Sequence, residues 1–305
     1  MIRLSWLIAV LAALAPAGTT IDSPARVVEL GTLGGHFSQA HAVNDRGEIV
    51  GTSSTGDQPH AFVWREGQMT DLGTLGGRFS AAFDINNRGE VVGYSETADG
   101  ELHAVMWRQG HITDLGTLGG PGGFSMATAI NDEGEVVGDN DGPGGLRAFL
   151  WRDGRMSALG DVPSRAAGIN EAGDAVGTSY AGEVITAMLW RDQTATRLRD
   201  SYGVAINDVG QVLTLDGYLW RRGRFTKVNP PAGAASAETL GLNNHGTVVG
   251  STELGAFIWR GGRAVTLPRP SGHTITFAED INNHGQIVGS SGAEEGHLRA
   301  VLWTR

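Results

Sequence analysis

Phe83-Asp84-Ile85-Asn86-Asn87-Arg88-Gly89-Glu90-Val91-Val92-Gly93-Tyr94-Ser95, followed after a variable stretch by His103-Ala104-Val105-Met106-Trp107-Arg108-Gln109-Gly110-His111-Ile112-Thr113-Asp114-Leu115, is one full unit of a repeating sequence. Its β-prone runs are short and separated by turn residues, so they read as four antiparallel strands, a to d. No window carries a convincing helical period. In Asn86-x-x-Gly89 the Asn side chain caps a type I turn, and the Gly supplies the positive φ that completes a hairpin with a bulge. Val91-Val92 is apolar at consecutive positions, which face opposite sides of a strand, so strand b must be covered on both faces. Propeller blades meet that demand because each sheet is packed between two neighbours.

Working outward, the Asn/Gly pair recurs seven times: Asn44/Gly47, Asn86/Gly89, Asn131/Gly134, Asn170/Gly173, Asn207/Gly210, Asn243/Gly246 and Asn282/Gly285. Successive Asn positions are 42, 45, 39, 37, 36 and 39 residues apart, the period of four-stranded blades. Each copy also carries a Trp in strand c: Trp64, Trp107, Trp151, Trp190, Trp220, Trp259 and Trp303. Three residues before it stands Ala in six copies and Gly217 in the fifth. A small residue there lets the adjacent blade approach while the Trp fills the opposite gap. Ser38, Ser80 and Ser125, each after a Phe, recur at equivalent points and read as capped turns.

The repeat starts and stops out of phase. Val27 to Gly35 matches strand d and its exit in 71–77 and 114–120, whereas the chain ends at Trp303-Thr304-Arg305, just after strand c. Joining the two ends completes a seventh blade and removes the open edges of an acyclic array. The expected fold is therefore all-β: a seven-bladed β-propeller of four-stranded antiparallel blades, closed by N-terminal strand d pairing with C-terminal strands a to c. An open β-solenoid gains nothing from the offset and needs capping repeats.

At 305 residues, such an array is a single closed domain. The early cation Arg3, the apolar run Leu4 to Ala15 and the small-x-small site Ala15-Pro16-Ala17 read as a secretory signal peptide, too short to span a membrane. The expected organisation is a signal peptide over 1–17, a short linker over 18–26 and the propeller over 27–305. That places the mature chain outside the cell or in the periplasm. Without cysteine the fold rests on packing alone. A net charge of −10 with Lys227 as the single Lys argues against nucleic acid and anionic membranes.

With the repeat in view, the chain resembles the extracellular repeat family named HAF after the triplet that stands here as His60-Ala61-Phe62. The Asn-x-x-Gly, Val-Val-Gly, Ala-Phe-x-Trp and Asp-Leu-Gly-Thr-Leu-Gly-Gly elements carry the resemblance over the whole mature chain. It implies a secreted repeat protein of unassigned activity and supplies no catalytic residues. The triplet His persists only at His60 and His103; Arg147, Thr186, Asp216, Gly255 and Arg299 replace it elsewhere, against a uniform chemical role. The fifth copy departs furthest, with Thr214 where the other six have Gly.

The regular a–b and c–d turns crowd one face, leaving the irregular b–c and d–a loops on the other, where binding usually sits. Several b–c loops are acidic, and Asp57, Asp99, Asp139, Asp141, Glu183 and Glu294 are the candidate binding-loop residues. Asp139-Asn140-Asp141-Gly142 comes nearest to a calcium loop but lacks the later ligands and the closing Glu, so it reads as a turn. No His spacing forms a metal site, and the Gly-Thr-Leu-Gly-Gly runs lack the helix and Lys of a phosphate loop. The sequence thus points to a monomeric, non-enzymatic interaction scaffold without a cofactor, whose partner is a protein, glycan or cell surface. The alternative is a hydrolase or lyase with its active site at the mouth of the central channel.

Overall fold

The computed structural model describes residues 26–304, apart from 57, 121, 143–144, 161, 183, 193 and 294–296. The expected leader and the linker up to residue 25 lie outside the described residues, as do Asp57, Glu183 and Glu294. The chain forms seven separate four-stranded antiparallel sheets arranged as a ring of blades. Blade 1 runs Ser38–Val43, Ile49–Ser54, Pro59–Arg65 and Gln68–Asp71, labelled a to d. Blades 2 to 6 repeat this order. Their a strands are Gly76–Ile85, Ser125–Ile130, Ser164–Ile169, Gly203–Ile206 and Glu238–Leu242. These a strands touch one another around the centre, while the d strands form the mostly exposed rim.

Blade 7 takes strands a to c from Ile275–Ile281, Ile287–Gly292 and Arg299–Thr304, and its outer strand from Arg26–Glu29. Val27 pairs with Trp303 and Val28 with Leu302. The ring is closed as the phase offset requires.

An apolar cluster fills each interface between blades. Between blades 1 and 2, Ala42, Val50, Ala61 and Val63 meet Ala82, Ile85, Val91, Val105 and Trp107. Between blades 4 and 5 the cluster shrinks to Val176, Leu189, Ile206 and Val212. Consecutive apolar residues in strand b each serve a different neighbour: Val50 packs toward blade 2, and Ile49 toward blade 7. That is how the two-sided burial of Val-Val arises.

The a–b hairpins carry most of the order. Gly47, Gly89, Gly134, Gly173, Gly210, Gly246 and Gly285 each donate their N–H to the carbonyl of the Asn three residues back, at 3.0 to 3.1 Å. All seven take φ between 71° and 81°, the left-handed region that Gly enters without cost. Crowding is a lesser demand than torsion at these turns. A Cβ at Gly134, Gly173, Gly210 or Gly246 would meet side-chain ends of the preceding blade, from Glu90, Glu135, Arg191 and Gln211, and at Gly285 it would meet nothing within 4 Å.

The Asn is more than the local cap its sequence position suggests. Asn44 Oδ1 accepts from Arg46 and Glu48 N–H, closing the turn. Its Nδ2 reaches further, donating to the main-chain carbonyl of Asn86 in the next blade at 3.0 Å. Asn86 does the same to Asn131, Asn131 to Asn170, Asn170 to Asn207, Asn207 to Asn243, Asn243 to Asn282, and Asn282 back to Asn44. All seven Asn are buried, so each bond satisfies a carbonyl that water does not reach freely.

A second closed ring runs through the following residues. Each donates its main-chain N–H to the next one's side-chain oxygen, in the order Asp45, Asn87, Asp132, Glu171, Asp208, Asn244, Asn283 and back to Asp45.

The serines read as capped turns are interblade clips instead. Ser80, at 1% exposure, accepts from Ala61 N–H in strand c of the preceding blade and donates to Gly73 O. Ser125 does the same with Ala104 and Gly116, and Ser38 with Ala300 and Gly31. The bond reaches the N–H of the small residue in the Ala-Phe-x-Trp element.

Blade 5 has moved its small residue to the partner strand. In the other six blades a Cβ on the strand-b Gly would collide with strand a, as at Gly93, where it would lie 1.9 Å from Ala81 O. In blade 5 that position is Thr214, and its partner is Gly203.

Candidate functional site

Every a strand carries a bulge three residues before its Asn, between Ala40 and Ala42 in blade 1 and between Ala82 and Asp84 in blade 2, and likewise around the ring. A bulge inserts an extra residue and re-aims its side chain. The seven bulged residues, His41, Phe83, Thr128, Ala167, Val204, Leu240 and Glu279, line the central channel. No two are alike. Two residues earlier stand Gln39, Ala81, Met126, Arg165, Tyr202, Glu238 and Phe277, also all different. The residue directly before the Asn is by contrast Val, Ile or Leu in every copy.

Six of the bulged residues and Gln39, Met126, Arg165 and Tyr202 of the earlier column line a cavity of about 570 Å³ at the loop face of the channel. Gln39, His41, Phe83 and Glu279 line it on one side, and Asp139, Arg165, Thr178, Tyr180, Tyr202 and Leu215 on the other. It opens over the short b–c connection of blade 5, where Leu215 sits. Its size and mixed lining match those of small-ligand pockets. None of the Asn-x-x-Gly residues lines this cavity: Gly134, Gly173, Gly210, Gly246 and Gly285, like Gly47 and Gly89, are framework at the opposite end of strand a.

The polar groups are individually constrained. His41 Nδ1 donates to Ala82 O at 2.9 Å, and its ring stacks on Phe83 at 5.4 Å between centroids. Burial lowers its pKa despite that hydrogen bond, so the ring is neutral and Nε2 is an acceptor. Asp139, 2% exposed, accepts from Ala166 N–H at 3.2 Å. Burial pushes its carboxyl up to about 7 against the pull of Arg165, whose Nε lies 3.5 Å away. Burial, with Asp280 and Glu238 nearby, likewise pushes Glu279 up to about 7. Deeper in the wall, Asp84 is raised to about 7 chiefly by burial, and Asp280 is raised for the same reason. Both carboxyls accept main-chain N–H from a neighbouring blade, Asp84 from Ile130 and Asp280 from Val43.

The Asp139-Asn140-Asp141-Gly142 stretch is not a turn. It belongs to strand b of blade 3, Val136–Gly142, with Asp139 and Asn140 buried. Asn140 Oδ1 accepts from Leu118 N–H and Asp141 from Phe124 N–H, so these side chains hold the d-to-a crossover. Asp99 is exposed at the b–c turn of blade 2. Of the candidate loop residues described, Asp139 alone lines the cavity. Among the described residues no group of three or more His, Cys, Asp or Glu could hold a metal ion.

The triplet His residues lie at the rim, away from the channel. His60 pairs with Asp71 and His103 with Asp114, both at 2.8 Å between strands c and d. In blade 4 the same two positions hold Thr186 and Arg197, bonded at 2.9 Å, so the pair is kept while the residues change. His273, Ser291 and Glu29 come together but form no nucleophilic triad. Ser291 is fully buried and donates to Ile275 O.

No family model matches the sequence, and no curated protein matches it. Solved structures do. The β-propeller domain of the Trilobed protease from Pyrococcus furiosus matches with a TM-score of 0.57 and 9% identity, over 88% of this chain and 94% of that one. The Pyrococcus horikoshii acylaminoacyl peptidase matches with 0.55 and 11% over 88% of this chain, which spans about half (51%) of that protein's length. A gluconolactonase candidate matches with 0.50 and 11% over 94% and 93% of the two chains. Such likeness establishes the propeller fold alone. The Trilobed protease domain is described as having an open velcro topology; here the Arg26–Glu29 strand closes blade 7.

Proposed function

We propose that the chain is an exported, HAF-type binding propeller that takes a compact, partly apolar ligand at the loop-face mouth of its channel. The irregular loops around that mouth are the contact surface for a protein, glycan or cell-surface partner. One observation carries this reading: the two residue columns from which the channel mouth draws ten of its lining residues differ in all seven blades, although the turns and interface residues around them repeat. A sevenfold scaffold that varies its channel-facing side chains is built to present one particular constellation there.

A thermal-shift panel of small metabolites, glycans and peptides tests it, because a ligand of the native state raises the melting temperature by mass action. A ligand of the mouth stabilises the parent and leaves Ala167→Trp, which fills the cavity, unshifted. Shifts that survive Ala167→Trp would place binding elsewhere and overturn the reading.

The second reading, a hydrolase or lyase, is favoured by two carboxyls poised near neutrality, Asp139 and Glu279, beside a neutral His41 in one cavity, the combination that acid–base catalysis needs. Turnover of a panel compound, lost in both Asp139→Asn and Glu279→Gln, is its signature.

A further inference from the structure

We infer that the ligand of this mouth is a monocarboxylate with an apolar body, its carboxylate held by Arg165 between the phenol groups of Tyr180 and Tyr202. This rests on the reading of the mouth as the binding site and names the chemistry that the site selects.

Among the described residues, Arg165 is the one cation lining the cavity, in a chain of net charge −10. Other guanidiniums are tied to carboxylates by hydrogen bonds: Arg65 to Glu48 at 2.6 Å and Arg199 to Asp216 at 2.8 Å. Arg165 is held differently. Its side chain is half exposed, and its partner Asp139 stands 3.5 Å away with one carboxylate oxygen committed to Ala166 N–H. The planar fork therefore keeps donors for a second, bidentate acceptor, the geometry that a carboxylate completes.

Tyr180 stands within electrostatic reach of that fork and of Tyr202. Burial raises the Tyr180 phenol, Arg165 acts the other way, and Tyr202 and Asp139 add to the rise. Both rings are exposed at 37% and 38% and line the same cavity. Each offers a hydroxyl donor beside an apolar ring. Phe83, Met126, Val204 and Leu215 supply the apolar lining for the rest of the ligand. On the opposite wall Glu279 adds negative charge as it ionises, which disfavours a second carboxylate.

The test is titration calorimetry with a set of aliphatic and aromatic monocarboxylates, each beside its own amide, with ¹H–¹⁵N spectra locating the site. Acids binding about tenfold or more tightly than their amides, with that preference lost in Arg165→Gln and reduced in Tyr180→Phe and Tyr202→Phe, is the expected result. Acids and amides binding equally at the mouth would overturn the carboxylate assignment and leave the binding reading intact. No binding of either, with no mouth resonance moving, would overturn the carboxylate assignment, while the thermal-shift panel with Ala167→Trp decides the binding reading on its own. Glu279→Gln sharpens the outcome by admitting dicarboxylates such as phenylsuccinate, which the parent rejects.

Discussion

The two ends of one strand do opposite jobs. At the turn face, strand a delivers the same Asn in all seven blades, and the copies bond head to tail into a ring. Three residues earlier, about 10 Å along the strand, the bulge delivers seven different side chains into the channel. Each Asn bonds a copy of itself, so a change in one blade breaks a bond shared with the next. The bulged residues line the channel, and none of them carries a bond that repeats around the ring. The propeller thus keeps its uniformity and its individuality on one strand, separated by three residues.

Substitutions that attack the uniform half have the largest effects. Gly289→Val puts a Cβ 2.0 Å from Phe277 O in the blade that closes the ring, and urea unfolding is expected to show a loss above about 4 kcal/mol or no folded protein. Asn282→Ala removes the acceptor of His284 and Gln286 N–H and the donor to Asn44 O. The expected cost is about 2 to 4 kcal/mol by the same measurement. Gly285→Val, at a turn with open space around it but a φ of 79°, isolates the torsional demand and should cost less, about 1 to 3 kcal/mol.

The channel and its wall also carry buried carboxyls. Burial raises Asp84, Asp139 and Glu279 to about 7, so folding takes up protons between their ordinary values and about 7. Their stabilising contribution is complete below the ordinary carboxylate values and is lost as pH rises through 7. Unfolding midpoints measured from pH 5 to pH 8 should fall, and Asp84→Asn should flatten that decline. A rising profile would contradict the burial of these groups. At the individual end, Ala167→Trp should change stability by only about 0.5 kcal/mol while removing ligand binding. A large loss there would erase the distinction between the two halves.

The architecture was legible because it is local and repeated: Asn44-x-x-Gly47 declares its own turn, and Val27 to Gly35 declares its own phase. The interblade bonds were not. Asn44 reads as a local cap because its Oδ1 partners lie two and four residues away, whereas its Nδ2 partner is 42 residues on. The same distance hid the clip from Ser80 to Ala61 and made a turn of the Asp139-Asn140 strand segment, whose acceptors serve neighbouring backbone. Acidic loop residues drew notice because charge is conspicuous. Phe83 and Glu279 did not, because a position that changes in every copy looks like noise beside a repeat. The signal was the disagreement itself, in the two columns that precede each Asn by three and five residues.

The pairing of Val27 with Trp303 also sets a timetable. During synthesis the Arg26–Glu29 segment emerges long before its partner strand Arg299–Thr304, so blade 7 and the final link from Asn282 to Asn44 wait until that strand is made. A chain interrupted before Arg299 lacks the strand that receives Arg26–Glu29, and its ring stays open. Closure is therefore a check on progress, passed only when translation has run through Arg299–Thr304.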